Sequence, residues 1–198
     1  RIGALARQAD VLASMECIAN VPLLIAGLQN VGHYQTRSRG TLGGSVAHAD
    51  PSAEMPLCLA TLEGKIELSS ARGVRTILAS EFFKGALTTA CKGDEMVTAL
   101  YWPVQSKSTG FAFEEVNERQ GDFAIVAAAA WAEQIEGSFQ CGLGLGGVED
   151  RPVVYIDSEG GKIDKIAARI VTEVTRNLVP IDDRRSSSEY RAHLAGYL

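Results

Sequence analysis

The stretch "TLGGSVAHADPSAEMP", residues 41–56, places two adjacent glycines after the basic run "RSRG" and before a series of spaced polar residues. Gly43 and Gly44 permit positive φ and a close approach of the backbone to a ligand. A bound pyrophosphate needs several backbone N–H groups that no side chain obstructs, and a glycine pair can supply them. Thr41 and Ser45 add hydroxyl donors. The stretch therefore indicates a phosphate site, although a lone Gly-Gly is more often only a turn.

The residues that follow the glycine pair suit the sugar portion of a nucleotide. Asp50 and Glu54 are acceptors for ribose or ribityl hydroxyls, and Pro51 stiffens the turn between them. The pattern is not the Rossmann fingerprint, because no G-x-G-x-x-G follows a strand, and it is not a P-loop, because no G-K-[ST] is present. The residues alone leave the turn and the phosphate site open.

Composition bounds the class of protein. The chain has 198 residues, of which 46% are hydrophobic and 22% charged, so a packed core is expected. A net charge of −5 argues against a general nucleic-acid binder. The longest apolar run, "AIVAAAAWA" (124–132), is too short to cross a bilayer and is typical of a buried strand.

The cysteines indicate neither a metal site nor a disulfide framework. The four are far apart and form no C-x-x-C pair, so an iron–sulfur cluster or a zinc site in this chain is not expected. Buried, reduced thiols in a cytoplasmic protein are the better interpretation. The chain begins with Arg1 rather than methionine, which suggests that it starts inside a domain.

Periodicity and turn residues predict the elements of the first half. The predicted order is a helix over 16–32, a polar loop over 33–54, a helix over 55–64, a hairpin over 65–78 that turns at Gly73, a short helix over 80–87 capped by Ser80, and a strand over 94–103.

The second half has a different pattern. Residues 103–110 are predicted to be a linker, because they lack apolar periodicity. A small antiparallel sheet with two helices is expected after it, an α+β unit. Its predicted elements are strands over 110–119, 123–136 and 138–148, a turn at Glu136-Gly137, a helix over 162–178, and a helix over 186–198 that Ser186 and Glu189 open in capping-box spacing.

Five ordered blocks of the sequence carry a family resemblance that covers essentially the whole chain. The chain resembles the FAD-binding medium subunits of the molybdenum hydroxylases, the family of carbon monoxide dehydrogenase, xanthine dehydrogenase and aldehyde oxidase. The blocks are "RIGALARQADVLAS", "HYQTRSRGTLGGSVAHADPSAEMP", "ARGVRTILASEFFKGALTTACKGDEMVTAL", "ERQGDFAIVAAAA" and "SSEYRAHLAGYL".

The resemblance implies a fold and its division. Residues 1–104 are expected to form the second part of an FAD-binding domain of the vanillyl-alcohol-oxidase/para-cresol-methylhydroxylase type. Residues 105–198 are expected to form the C-terminal α+β domain, with a three-stranded antiparallel sheet and helices. The class of the whole chain is therefore α+β.

The resemblance also implies a set of FAD-contacting residues and no catalytic or metal-binding residue in this chain. The loop that wraps the pyrophosphate corresponds to Thr41, Leu42, Gly43, Gly44 and Ser45, and further contacts correspond to His48, Asp50, Glu54, Val97, Asp122 and Phe123. Phe123 stands where bacterial members often have a tyrosine against the isoalloxazine ring, so a hydrogen bond from that hydroxyl is not expected here. Arg37 and Arg39 suit either a cofactor phosphate, a partner's acidic surface or ion pairs within the loop.

Family members begin with another segment that carries a first flavin motif of the "AGGxS" kind. Nothing like it precedes Arg1. The chain is therefore expected to be a fragment, or to lack half of the pyrophosphate cradle.

The implied function is that of an electron-transfer flavoprotein subunit in a cytoplasmic oxidoreductase. A large subunit with molybdopterin would hydroxylate the substrate, a small subunit with two [2Fe–2S] clusters would carry electrons to FAD in this chain, and the assembly would be a dimer of heterotrimers. The alternative is a structural subunit of the same complex that has lost FAD, which the missing motif and Phe123 motivate.

Overall fold

The computed structural model describes residues 1–198, with the side chain of Ser158 excepted. Its first part alternates short helices with a small sheet. The elements in chain order are β1 (Ile2–Gly3), α1 (Gln8–Leu12), α2 (Met15–Asn20), α3 (Pro22–Asn30), α4 (Tyr34–Arg39), α5 (Leu42–His48), α6 (Glu54–Thr61), β2 (Lys65–Ser70), β3 (Gly73–Leu78), α7 (Ala79–Phe82), β4 (Phe83–Gly85), β5 (Thr88–Thr89) and β6 (Met96–Tyr101).

The first sheet is antiparallel, with strand order β1-β6-β2-β3. The β2–β3 hairpin turns at Gly73, whose φ of +126° suits glycine, and this confirms the predicted hairpin. Helices α3 and α6 supply the centre of the first core, where Leu24, Leu28 and Leu57 are fully buried.

Three predictions in this half were wrong. Residues 16–32 form two helices, α2 and α3, rather than one, because Pro22 cannot donate within a continuous helix; Pro22 in the first turn of α3 and Gly32 after its end are as the sequence suggested. Residues 33–54 are not a loop, since they contain α4 and α5, whose lengths of six and seven residues leave little apolar periodicity to detect. The predicted helix over 80–87 is four residues long, begins before Ser80, and gives way to β4 as Phe82 and Phe83 both enter the core.

The second part is a sheet with two helices on one face. Its elements are β7 (Thr109–Val116), β8 (Val126–Ile135), β9 (Ser138–Gly146), β10 (Val153–Gly161), α8 (Ile163–Asn177) and α9 (Ser188–Tyr197). The sheet is antiparallel, in the order β10-β9-β8-β7. Glu136 and Gly137 both have positive φ in the tight β8–β9 turn, as predicted.

The α+β class is confirmed, and the count of three strands in this sheet was wrong. The fourth strand, β10, was missed because its sequence "VVYIDSEGG" ends in acidic and glycine residues that interrupt the alternation. Asp157 of β10 is buried, and Arg169 of α8 pairs with it in a bidentate ion pair. Nε of Arg169 lies 2.6 Å from Oδ2 of Asp157, and Nη2 lies 2.8 Å from Oδ1.

Strand β8 contributes to two cores. Ala127 and Ala129 pack into the first core, whereas Val126 and Ala128 face α8 and α9 in the second. The alternation follows from the two-residue period of a strand. The second sheet is therefore a wall that both halves share, and Trp131 of β8 donates from Nε1 to the carbonyl of Thr61 in α6 at 3.0 Å.

Strand β9 meets α6 through a row of glycines in "GLGLG". A Cβ at Gly144 would lie 1.9 Å from Oγ1 of Thr61, and one at Gly146 would lie 3.1 Å from Cδ2 of Leu57. The absence of side chains at these positions allows the helix to lie directly on the strand.

Helix α9 brings a buried cation into the second core. Its N-cap is Ser187, whose Oγ accepts from the N–H of Tyr190, one residue later than the predicted Ser186. Arg191 is only 1% exposed. Its guanidinium donates to the carbonyls of Ile125 and Gly147 and to the carboxylate of Asp183.

Candidate functional site

A cavity of about 450 Å³ lies between the helices that follow Val31 and the loop before β8. This volume is within the usual range for small-molecule and cofactor sites. The cavity brings together seven of the residues predicted from the resemblance: Thr41, Gly44, Ser45, His48, Glu54, Asp122 and Phe123.

The two glycines of the quoted stretch serve different purposes. Both belong to helix α5, so neither is needed for positive φ. Gly43 is buried, and a Cβ there would lie 2.4 Å from the Cβ of Ala4. Gly44 is exposed and lines the cavity. The close approach expected of the pair is thus an internal packing contact at Gly43, and only Gly44 faces the site.

The backbone N–H groups of residues 42–45 donate to partners within the protein. Leu42 donates to the carbonyl of Ala6 at 3.0 Å and Gly43 to that of Ala4 at 2.9 Å. Gly44 donates to Oγ1 of Thr41, the N-cap of α5, at 3.0 Å, and Ser45 donates to the carbonyl of Thr41. Hydroxyl groups of Thr41 and Ser45 are therefore the polar groups that this segment offers to a ligand.

The remaining predicted residues lie outside the cavity wall. Leu42 is fully buried in the first core. Asp50 uses Oδ1 to accept from the N–H of Ser52 at 2.8 Å, which shapes the turn into α6. Val97 lies on β6 opposite Leu68, half-buried against the first core.

Glu54 is the most perturbed acid of the cavity. It is 3% exposed, at the first turn of α6. Burial raises the pKa of Glu54 to about 7; a hydrogen bond from its own backbone N–H opposes the shift, and the charges of Glu115 and Asp50 add to it. A carboxyl that changes charge near neutral pH is typical of functional sites.

A second perturbed carboxyl lies next to it across the seam between the two halves. Burial raises the pKa of Glu115, on β7, to about 7, and the hydrogen bond that Asn117 donates to its Oε1 at 2.9 Å opposes this. The loop after β7 passes close to the imidazole of His33, because a Cβ at Gly121 would lie only 2.7 Å from it. His33 therefore lies close against the loop that carries Asp122 and Phe123.

The structure adds cavity residues that sequence reasoning missed. They are Gln8, Val31, Gly32, Thr36, Gly40, Ala53 and Gly121. Arg37 holds part of this wall, because its guanidinium donates to the carbonyls of Val31 at 2.7 Å and Gly32 at 2.9 Å. It therefore acts on backbone carbonyls rather than within an ion pair.

These residues fit part of a dinucleotide. Hydroxyls of Thr41 and Ser45 suit phosphate or sugar oxygens, Phe123 offers a half-exposed aromatic ring, and the polar side chain of Gln8 is buried in the wall. Within the described residues no cluster of three or more His, Cys, Asp or Glu side chains could hold a metal ion. In the same part of the chain no helix is long and apolar enough to span a membrane, and all four cysteines are free thiols, with Cys58 and Cys141 buried.

Two family models match the chain one after the other. The model for the FAD binding domain in molybdopterin dehydrogenase matches residues 1–105. The model for the CO dehydrogenase flavoprotein C-terminal domain matches residues 111–198.

Curated relatives match along the whole chain. The glyceraldehyde dehydrogenase medium chain of Sulfolobus acidocaldarius is 35% identical, over all of this chain and 72% of its own length. The nicotine 6-hydroxylase medium subunit of Paenarthrobacter nicotinovorans is 32% identical, over 96% of this chain and 69% of its own.

Solved structures share the fold. Reconstituted CO dehydrogenase from Oligotropha carboxidovorans superposes with a TM-score of 0.90 at 28% identity, over 98% of this chain and 70% of that one. Quinoline 2-oxidoreductase from Pseudomonas putida 86 superposes with a TM-score of 0.88 at 33% identity and the same coverage.

Proposed function

The chain belongs to the family of FAD-binding subunits of the molybdopterin dehydrogenases, and we propose that its cavity holds part of FAD in an electron-transfer subunit of such an enzyme. The observation that carries the proposal is the convergence of Thr41, Ser45 and Phe123, from both matched regions, on one cavity. FAD, when bound, supplies redox chemistry in one- and two-electron steps.

The contribution of the chain is binding and orientation. Hydroxyls of Thr41 and Ser45 donate to oxygens of the dinucleotide, and the surface of Gly44 lets it approach the backbone. Phe123 covers one side of the cavity and excludes water there, without the hydroxyl that a tyrosine would add. Glu54, with a pKa near 7, holds a proton in part of the molecules at neutral pH.

The resemblance also assigned four residues to FAD that do not line the cavity, and in this proposal they act indirectly. They are Leu42, Gly43, Asp50 and Val97. They position the wall through the core and the turn into α6. His48 and Asp122 line the cavity, and in this proposal they would contact the cofactor directly.

The wider assembly follows the family. We propose that the chain is the medium subunit beside a small iron–sulfur subunit and a large molybdopterin subunit, in a cytoplasmic dimer of heterotrimers. The names of the relatives, medium chain and medium subunit, support a complex of several chains. We place the boundary between the two domains at residues 104–105, in the segment between β6 and β7 that connects the two sheets.

Absorbance spectroscopy of the purified complex that contains the full-length subunit tests the proposal. Flavin bands that bleach with dithionite, and FAD released on heating, are expected at one equivalent per subunit. Iron–sulfur absorbance with no extractable FAD, at full subunit stoichiometry, would contradict the proposal and favour a structural subunit.

A further inference from the structure

Gln8 is a buried polar residue that neither fold nor core explains. It is 4% exposed, and its side chain lines the cavity. Its Oε1 is buried and finds no hydrogen-bond partner among the described residues. A buried acceptor without a partner costs free energy, so this oxygen points to a ligand group that donates a hydrogen bond to it.

The backbone around Gln8 is tied to the quoted stretch. Its N–H donates to the carbonyl of Gly40 at 3.0 Å, and the preceding residue, Arg7, forms an antiparallel bridge with Thr41. A Cβ at Gly40 would lie 2.6 Å from Oε1 of Gln8, so glycine at this position leaves room for the carboxamide. Two backbone contacts thus fix the side chain beside the residues proposed to hold FAD.

The cavity needs hydrogen-bonding groups of this kind. The N–H groups of residues 42–45 are all used within the protein. The carboxamide oxygen is an acceptor, which suits a ribose or ribityl hydroxyl of a dinucleotide.

We propose that Gln8 is a further FAD-binding residue, whose Oε1 accepts a hydrogen bond from a hydroxyl group of the bound dinucleotide. The inference rests on the proposed function, because it takes FAD as the occupant of the cavity. It adds a contact from the start of α1, a segment to which the resemblance assigned no FAD-binding residue.

The test compares Gln8→Leu and Gln8→Glu in the purified complex with the full-length subunit. Gln8→Leu is expected to weaken FAD retention about 3- to 10-fold, the equivalent of one hydrogen bond. Gln8→Glu keeps an acceptor but is expected to weaken FAD retention more, since it adds a buried negative charge beside an anionic ligand.

Thermal denaturation separates binding from a structural role. Once FAD has been removed, Gln8→Leu is expected to melt at or above the wild-type temperature, because the unpartnered oxygen is gone. With FAD present, it is expected to melt below the wild type. Gly40→Ala, whose Cβ displaces the carboxamide, is expected to reproduce the loss of FAD retention.

Gln105 provides a matched control. Its Oε1 accepts from the N–H of Leu23 at 3.1 Å, in the segment between β6 and β7 and away from the cavity. Gln105→Leu is expected to lower stability with and without FAD and to leave FAD retention unchanged.

The outcomes distinguish this proposal from the proposed function. Unchanged FAD retention in Gln8→Leu, with FAD present in the wild type, overturns the role of Gln8 alone. A wild-type complex without FAD overturns both.

Discussion

Each half of the molecule buries an ionisable residue, and the two residues differ in whether an opposite charge pairs with them. The two terminal nitrogens of Arg191 have acceptors: Nη1 lies 2.6 Å from the carbonyl oxygen of Ile125 and Nη2 lies 2.9 Å from Oδ1 of Asp183. Glu54 is as deeply buried, yet no ion pair among the described residues includes it, and its pKa rises to about 7. A compensated charge holds a fold together, whereas an uncompensated acid beside a cavity indicates a binding site.

The largest expected effect is at Arg191. Arg191→Leu removes the donor from the buried carbonyls of Ile125 and Gly147 and leaves Asp183 without its cation. The free energy of unfolding is expected to fall by about 3–5 kcal/mol, the typical cost of breaking a buried charge network. Urea denaturation of the variant measures it.

Arg176→Leu is the control, because Arg176 lies exposed on α8. Its free energy of unfolding is expected to change by no more than about 0.5 kcal/mol. If Arg191→Leu does not fold, Arg191→Lys keeps the charge and is expected to lose less. A loss below about 1 kcal/mol at Arg191 would show that its network is not needed.

The next largest effect is a gain in the free energy of unfolding in the variant Glu54→Gln. Its folded pKa of about 7 lies above the ordinary value of 4.5, so between those pH values the folded state keeps a proton that the unfolded state loses. Stability therefore falls as pH rises through this window. Glu54→Gln stays neutral and is expected to be more stable than the wild type at about pH 8, by on the order of 2–3 kcal/mol.

The measurement is denaturation of FAD-free protein at about pH 5 and about pH 8. The gain from Glu54→Gln is expected to shrink at the lower pH, where the wild-type carboxyl is protonated in the folded state. Glu16→Gln, at an exposed position on α2, is expected to show no such gain. An equal gain at both pH values would mean that ionisation of Glu54 is not the cause.

The smallest effect is at Asp183. Its Oδ1 accepts from Arg191 and from the N–H groups of Arg185 and Ser186. Asp183→Asn keeps an acceptor and loses only the charge, on a side chain that is 39% exposed. A loss of about 1 kcal/mol is expected, and it should diminish at high salt. If Asp183→Asn lowered the free energy of unfolding as much as Arg191→Leu, the buried charge of Arg191 would be stabilised mainly by the ion pair and not by the backbone carbonyls.

The sequence predicted the long periodic elements because their burial pattern is local. The β2–β3 hairpin, β8, β9 and α8 have apolar residues at a constant spacing and turn residues at their ends. Helices α4 and α5 were missed because each spans less than two turns and their capping contacts, such as Thr41 to Gly44, resemble those of a loop.

The site was predictable only where the motif itself lines the cavity. Thr41, Ser45 and Phe123 were named from the resemblance, and they converge. Gln8 was not, because what brings it to the cavity is a backbone hydrogen bond to Gly40, far away in the sequence. Gly43 shows the converse, since a residue within the motif turned out to pack against Ala4.

The glycine row of β9 bears on how such a chain can diverge. Gly144 leaves no room for even a methyl group against Thr61 of α6, and Trp131 of the adjoining strand donates to the carbonyl of that same threonine. The two halves therefore meet at a glycine surface and at a side-chain-to-backbone hydrogen bond, both of which depend on a close fit. A chain that combined one half with that of a distant relative would need α6, β8 and β9 to fit one another as closely as they do here.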